Sequence, residues 1–306
     1  MALYVFQATQ EATLVYIAMK NPASCFLFIL TMVALSICPR ASAALELDKE
    51  VVLVNYDSTA GDQLGEFPSR AVIAQFIERI GQGKPKSIVI KFFFDSIGNE
   101  SHSKLLEASF GTTRILLQAS INPEPPTSRF LDERFYYKGS VGKLKPMVSG
   151  REGWLPIKQF ADKAAKVCFV DVARPELVPM FTTFQNRPVP SMYSCILADA
   201  FGAGEMILNG DSAQFGNYAL PLDDAGQAKI SLTDLRLPPA ISALDVLDGK
   251  VDCKVFENKI AVFIYTGNKS PILNINGTAV KLHQLFSVQL RELFAAVKPI
   301  READRK

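Results

Sequence analysis

Histidine is nearly missing from this chain, whose 306 residues hold only His102 and His283. A zinc site or a Ser-His-Asp hydrolase would need both of them, or carboxylates in their place. Charge of one sign is lacking too, since 33 Lys and Arg stand against 31 Asp and Glu, a formal net charge of +2. That balance excludes the electrostatic footprint of a nucleic-acid binder. The sequence has no P-loop and no GxGxxG. Gly61-Asp62-Gln63-Leu64-Gly65 and Gly202-Ala203-Gly204 lack the strand-to-helix setting a dinucleotide fingerprint needs. Internal repeats and low-complexity segments are absent. With 48% hydrophobic and 21% charged residues, the chain can bury a core, which excludes a disordered, collagen-like or coiled-coil protein.

Long apolar runs are scarce as well. Cys25–Cys38 offers fourteen uncharged positions, short of the roughly 20 that span a bilayer, and fits the apolar core of a secretory signal. Lys20 precedes it, Pro39 follows it, and Ala41-Ser42-Ala43 forms a small-x-small site. Cleavage is therefore predicted between Ala43 and Ala44, making residues 1–43 a signal peptide and 44–306 the exported domain. A start at Met19 would give a complete signal by itself. An uncleaved signal anchoring the chain to the inner membrane is the alternative, disfavoured by the short apolar core; bulky Ile37 disfavours a lipoprotein signal ending at Cys38. After residue 44 the best apolar stretch, Val280–Val297, carries Lys281, His283, Arg291 and Glu292 and reads as an amphipathic helix. The expected location is periplasmic or secreted. Beyond the signal only Cys168, Cys195 and Cys253 remain, without metal-ligand spacing. They allow at most one disulfide, and each is expected to act as a small buried hydrophobe.

What is present is a series of continuous apolar runs, each ended by a polar or turn residue. Val51–Tyr56, Ser87–Phe94, Thr113–Ala119, Val167–Val172 and Lys259–Gly267 read as strands buried on both faces. Helices are predicted from Arg70 to Ile80 and from Lys104 to Phe110 between the first three. The implied fold is a single α/β domain with a largely parallel central sheet flanked by helices. Ile121–Gly153 reads as a long surface excursion, with a short helix around Ser128–Tyr136. Phe181–Gln185 reads as a strand followed by a turn at Asn186-Arg187-Pro188, and Pro190-Ser191 as the start of a helix running through Ala203. Asn217–Leu232 reads as two strands around Asp224-Ala225-Gly226, and Ser242–Leu247 as a helical turn.

Five pieces occur in an order that resembles the CHASE2 domain, an extracytoplasmic sensor module of bacterial signalling proteins. They are Val51–Asp57, Phe67-Pro68-Ser69-Arg70, Phe94-Asp95, Pro190-Ser191-Met192, and Ile241–Lys250 followed by Phe256–Ile264. The likeness runs from Val51 to Phe294, with His283 where members often carry a His. Here Thr266-Gly267-Asn268-Lys269-Ser270-Pro271 keeps the family's Gly and Pro but not its Asp, and the Asp-Gly-x-x-Arg segment after Asp171 is missing. The resemblance implies a non-catalytic sensory domain, here a free-standing exported copy, acting through a small ligand or an envelope signalling protein.

Ligands of open α/β sheets bind beyond the carboxyl ends of the strands. Asp57 and Asp95 end predicted strands and Asp171 lies within another, so they are ligand candidates; the bland alternative is that the first two cap turns. His283 at a helix start offers an imidazole to a ligand or to the Gly267 loop, unless backbone groups occupy it. His102, between Ser101 and Ser103, is expected in a solvated loop. Arg129–Arg151 mixes basic and aromatic residues that could meet an acidic partner or lipid headgroups, a solvated loop face being the plainer meaning. Asn99, Asn268 and Asn276 lie in sequons that matter only in a eukaryotic secretory host. No cofactor or metal is implied. Two rival classes stay open: a metal-dependent hydrolase built on Asp57 and Asp95, and an envelope assembly factor.

Overall fold

The structure, a computed structural model, describes residues 46–121 and 125–300. The predicted signal and its cleavage point lie outside the described residues. Among those described, six parallel strands form the central sheet: β1 (Val51–Tyr56), β2 (Ser87–Ile90), β3 (Ile115–Ile121), β4 (Lys166–Phe169), β5 (Ala240–Ser242) and β6 (Ile260–Tyr265). Their spatial order is β5-β1-β6-β2-β3-β4, and Gly153–Trp154 adds an antiparallel pair at the end of β3. The expected largely parallel α/β sheet is what the chain forms.

Strand alternation divides the core into two layers, because successive side chains point to opposite faces. Val54, Tyr56, Ile88, Ile90, Ile115, Leu117, Ala261 and Phe263 face one way. Leu53, Val89, Leu116, Val262 and Ile264 face the other. Helices α2 (Arg70–Gly81), α3 (Glu100–Ser109) and α5 (Ala243–Leu247) cover the first face. Helices α4 (Met192–Ala200) and α6 (Leu282–Ala296) cover the second. With both faces covered, every position of β2 and β6 is buried, which is why their sequences show no polar alternation. Burial of each such Ile or Phe stabilises the fold by about 1.5–3 kcal/mol. Helix starts are fixed by side-chain caps: Ser69 Oγ accepts from Val72 N–H (3.2 Å) and Asn99 Oδ1 from His102 N–H (3.1 Å).

Several expectations need correction. Asn99 starts α3 four residues early, so His102 lies in a helix and not in a loop. β2 stops at Ile90, and Phe92–Phe94 leave the sheet. β4 stops at Phe169, so Asp171 lies beyond it. The turn after Phe184 is Gln185-Asn186, with φ of 52° and 62°, the mirror-image hairpin geometry; Arg187–Pro190 is the return strand. Tyr218–Pro221 and Gln227–Lys229 are both strands but pair elsewhere, the former with Ser212–Phe215 and Lys298–Pro299, the latter with Leu177–Pro179. The stretch after Ile121 is more than a surface excursion: Leu131, Phe135 and Tyr136 are buried with Phe169, Phe184 and Val189, and among its described residues the helix is a single 3-10 turn, Glu133–Phe135. Cys168 and Cys195 form a disulfide across a Cα separation of 6.7 Å. Alternation turns Cys168 of β4 towards the face that α4 covers, and α4 presents Cys195 there. Cys253 is free and half-buried.

Candidate functional site

β6 lies between β1 and β2. Its chain continues to α6 on the second face, whereas β1 and β2 continue to α2 and α3 on the first. Neighbouring strands whose connections leave to opposite faces open a crevice at their carboxyl ends. Between β6 and β2 that crevice is a cleft of about 730 Å³. The ladder parts there for a specific reason. Lys91 N–H still donates to Phe263 O (3.0 Å). In a continuing parallel ladder the next donor towards β2 would be Tyr265 N–H, but it donates to His283 Nδ1 instead (3.0 Å). One imidazole on α6 thus takes the place of the missing strand partner, and Phe92 to Phe94 peel away.

Lys91, Gln118 and His283 line this cleft near the strand ends, with Asp171 acting on Lys91 from behind the lining. Lys91, 4% exposed, sets its Nζ over the Phe286 ring, 3.9 Å from the centroid, and makes no side-chain hydrogen bond among the described residues. Burial pulls its ammonium down to about 7 against the opposing pull of Asp171. Asp171 is half-buried and its carboxyl is raised by that burial, although Ser120 Oγ–H (2.7 Å) and Ile121 N–H (3.0 Å) donate to it. Gln118 of β3 is 3% exposed. His283 is enclosed enough that burial, with help from Lys91, holds its imidazole down to about 3. Because its Nδ1 accepts from Tyr265, the neutral ring carries its proton on Nε2.

The walls are aromatic. Phe67 lies 4.8 Å from the Tyr265 ring, and Phe93 meets Trp154 edge-on at 5.0 Å. Tyr265 donates its hydroxyl to Glu66; burial first, and then this bond, push the phenol up to about 12, while Lys269 N–H donates to the phenol oxygen (2.9 Å). Arg70 Nη1 donates to Ser103 Oγ (2.6 Å) and Nη2 to Ser96 O. No Asp or Glu lines the cleft.

The residues singled out from sequence meet different fates. His283 lines the cleft, and so does His102. Asp57 does not; its Oδ1 accepts from Ala60 N–H (2.9 Å) as the cap of α1 (Ser58–Leu64), the bland alternative. Asp95 is not on the lining either, but its charge acts on Arg70. Gly267 packs on Tyr265, where a Cβ would come within 2.6 Å of the ring. Among the described residues no three His, Cys, Asp or Glu side chains gather closely enough to hold a metal ion. Lys91, Gln118 and Trp154 were missed. A signal for the first two existed: each is a long polar side chain inside an otherwise largely apolar run, Ser87–Phe94 and Ile115–Ile121.

Residues 13–271 match the CHASE2 domain family. The matched range takes in Lys91, Gln118 and Gly267 and stops short of His283. No curated protein matches the chain, and no solved structure does. Among the described residues, no helix is long and apolar enough to cross a membrane. CHASE2 is a family of extracytoplasmic sensory domains, and this chain belongs to it.

Proposed function

We propose that this domain is a ligand-binding sensor of the cell envelope, exported by its N-terminal signal and acting without catalysis. A small molecule enters the cleft between β2 and β6 and favours one arrangement of the loops around it. A signalling protein of the envelope then reads that arrangement. The observation carrying this reading is the parted ladder, which leaves a buried ammonium facing an open cavity with no hydrogen-bond acceptor among the described residues. Buried charges are normally paired, so a bare one on a cavity wall marks a place for a ligand. His283 holds the cleft open, Gly267 lets Tyr265 form its wall, and Asp95 steadies Arg70 beside it. Asp57 has no ligand role in this scheme.

The test is native mass spectrometry of the chain recovered from the envelope fraction. A bound small molecule is expected, and it should be lost in Leu282→Trp, which crowds the exposed mouth of the cleft. A bare parent protein that a broad metabolite set also fails to stabilise against heat would sink the reading.

A further inference from the structure

We infer that the ligand of this cleft is a small monocarboxylate with an apolar, planar body, its carboxylate seated on Lys91. The inference rests on the cleft reading above and names the chemistry of its occupant.

The head group follows from what is left unsatisfied. An ammonium has three donors, and Lys91 uses none of them in a hydrogen bond among the described residues. The groups acting on it are the π-face of Phe286, Asp171 through its field, and His283, which is neutral. Asp171 acts on Lys91 through its field only, since its oxygens accept from Ser120 and Ile121 and no hydrogen bond or ion pair joins it to Lys91 among the described residues. Gln118 stands beside Lys91: Ile90 and Leu117 are register partners, so the next residue of each chain comes alongside the other. Its buried side-chain amide likewise makes no hydrogen bond among the described residues. His283 adds the Nε2 proton that its bond from Tyr265 dictates. An ammonium, an amide and an imidazole N–H suit the two oxygens and four lone pairs of a carboxylate.

Charge count narrows the class. Arg70 is already committed to Ser103 and Ser96, and Lys269 is exposed at the rim. That leaves one buried positive charge, already sharing its field with Asp171, which matches a monoanion better than a phosphate dianion. With no Asp or Glu on the wall, nothing in the lining repels an anion. The body of the ligand is set by Phe92, Phe93, Trp154 and Tyr265, whose rings favour a flat apolar group. About 730 Å³ is ample for such a molecule.

The experiment is calorimetric titration of the full chain at pH 6.5 with benzoate, 3-phenylpropionate and 2-naphthoate, each beside its primary amide, and with inorganic phosphate. At least one acid should bind, tenfold or more tighter than its amide, with phosphate not competing. In Lys91→Met the preference for acid over amide should vanish while the melting temperature stays at or above the parent's. Amides binding as tightly as acids, or acid preference surviving in Lys91→Met, would overturn the carboxylate and leave the cleft reading intact. Displacement of the acids by phosphate would overturn it as well. Should none of the six bind while a neutral molecule is found in the envelope-derived protein, the carboxylate falls alone; with nothing bound in either experiment, both readings fall.

Discussion

The two edges of β6 face the same topological problem and solve it differently. Beyond β1, the ladder runs one step further, with Thr266 N–H donating to Tyr56 O (2.8 Å). α1 then closes that crevice: Asp57 caps it and Tyr56 O–H reaches Gly65 O (2.5 Å). Beyond β2, the ladder ends, a side chain from α6 takes the free N–H, and a cavity remains. A crevice between strands whose connections diverge is therefore only an opportunity for a site. Whether it becomes one depends on where the next backbone donor goes.

His283→Leu attacks the open side most directly. It leaves Tyr265 N–H buried without a partner, which costs about 1–3 kcal/mol, and denaturant unfolding should show a loss of that size together with weaker binding in the cleft. The conservative His283→Asn, which can still accept from the backbone, should recover part of it.

A change of pH sharpens the contrast without mutation. Lys91 titrates at about 7 in the empty cleft, so raising pH from 6.5 to 8.5 should weaken acid binding roughly 20-fold as the protonated fraction falls. His283, held near 3, stays neutral throughout. The stability of the unliganded protein should move the other way. A lysine whose value is depressed on folding binds fewer protons in the native state, so its contribution rises with pH above about 7. Lys91→Met should flatten both slopes, read by titration calorimetry and by melting temperature across that range.

The smallest effect belongs to the closed side. Asp57→Ala removes the cap of α1 and should cost about 1 kcal/mol, visible in the melting temperature and leaving cleft affinity unchanged. A loss of ligand binding in that variant would show that the two crevices communicate.

The sheet was legible because covered strands cannot hide their composition: Val51–Tyr56 and Ile260–Tyr265 carry almost nothing polar. Ends were less legible. The aromatic run Phe92–Phe94 reads as more strand, and nothing local says that His283, almost 200 residues later, will claim the hydrogen bond that would have kept it in the sheet. Asp57 shows the reverse error, a carboxylate in the right place for chemistry whose oxygen is taken by its own helix. Lys91 and Gln118 could have been read from their surroundings, since a long polar side chain buried in a largely apolar run needs a reason. The Cys168–Cys195 bridge could not, because its 27-residue spacing carries no pairing information until the sheet and α4 are in place.

α6 has a further consequence. It starts in the cleft, with His283 on the strand edge and Phe286 under the Lys91 ammonium, and runs for fifteen residues, about 22 Å. Immediately after it, Lys298–Pro299 joins the edge of the outlying antiparallel sheet. The cavity and that sheet are thus fastened to opposite ends of a single helix, so the residues that shape the cleft and those that pair the sheet edge belong to one continuous hydrogen-bonded element.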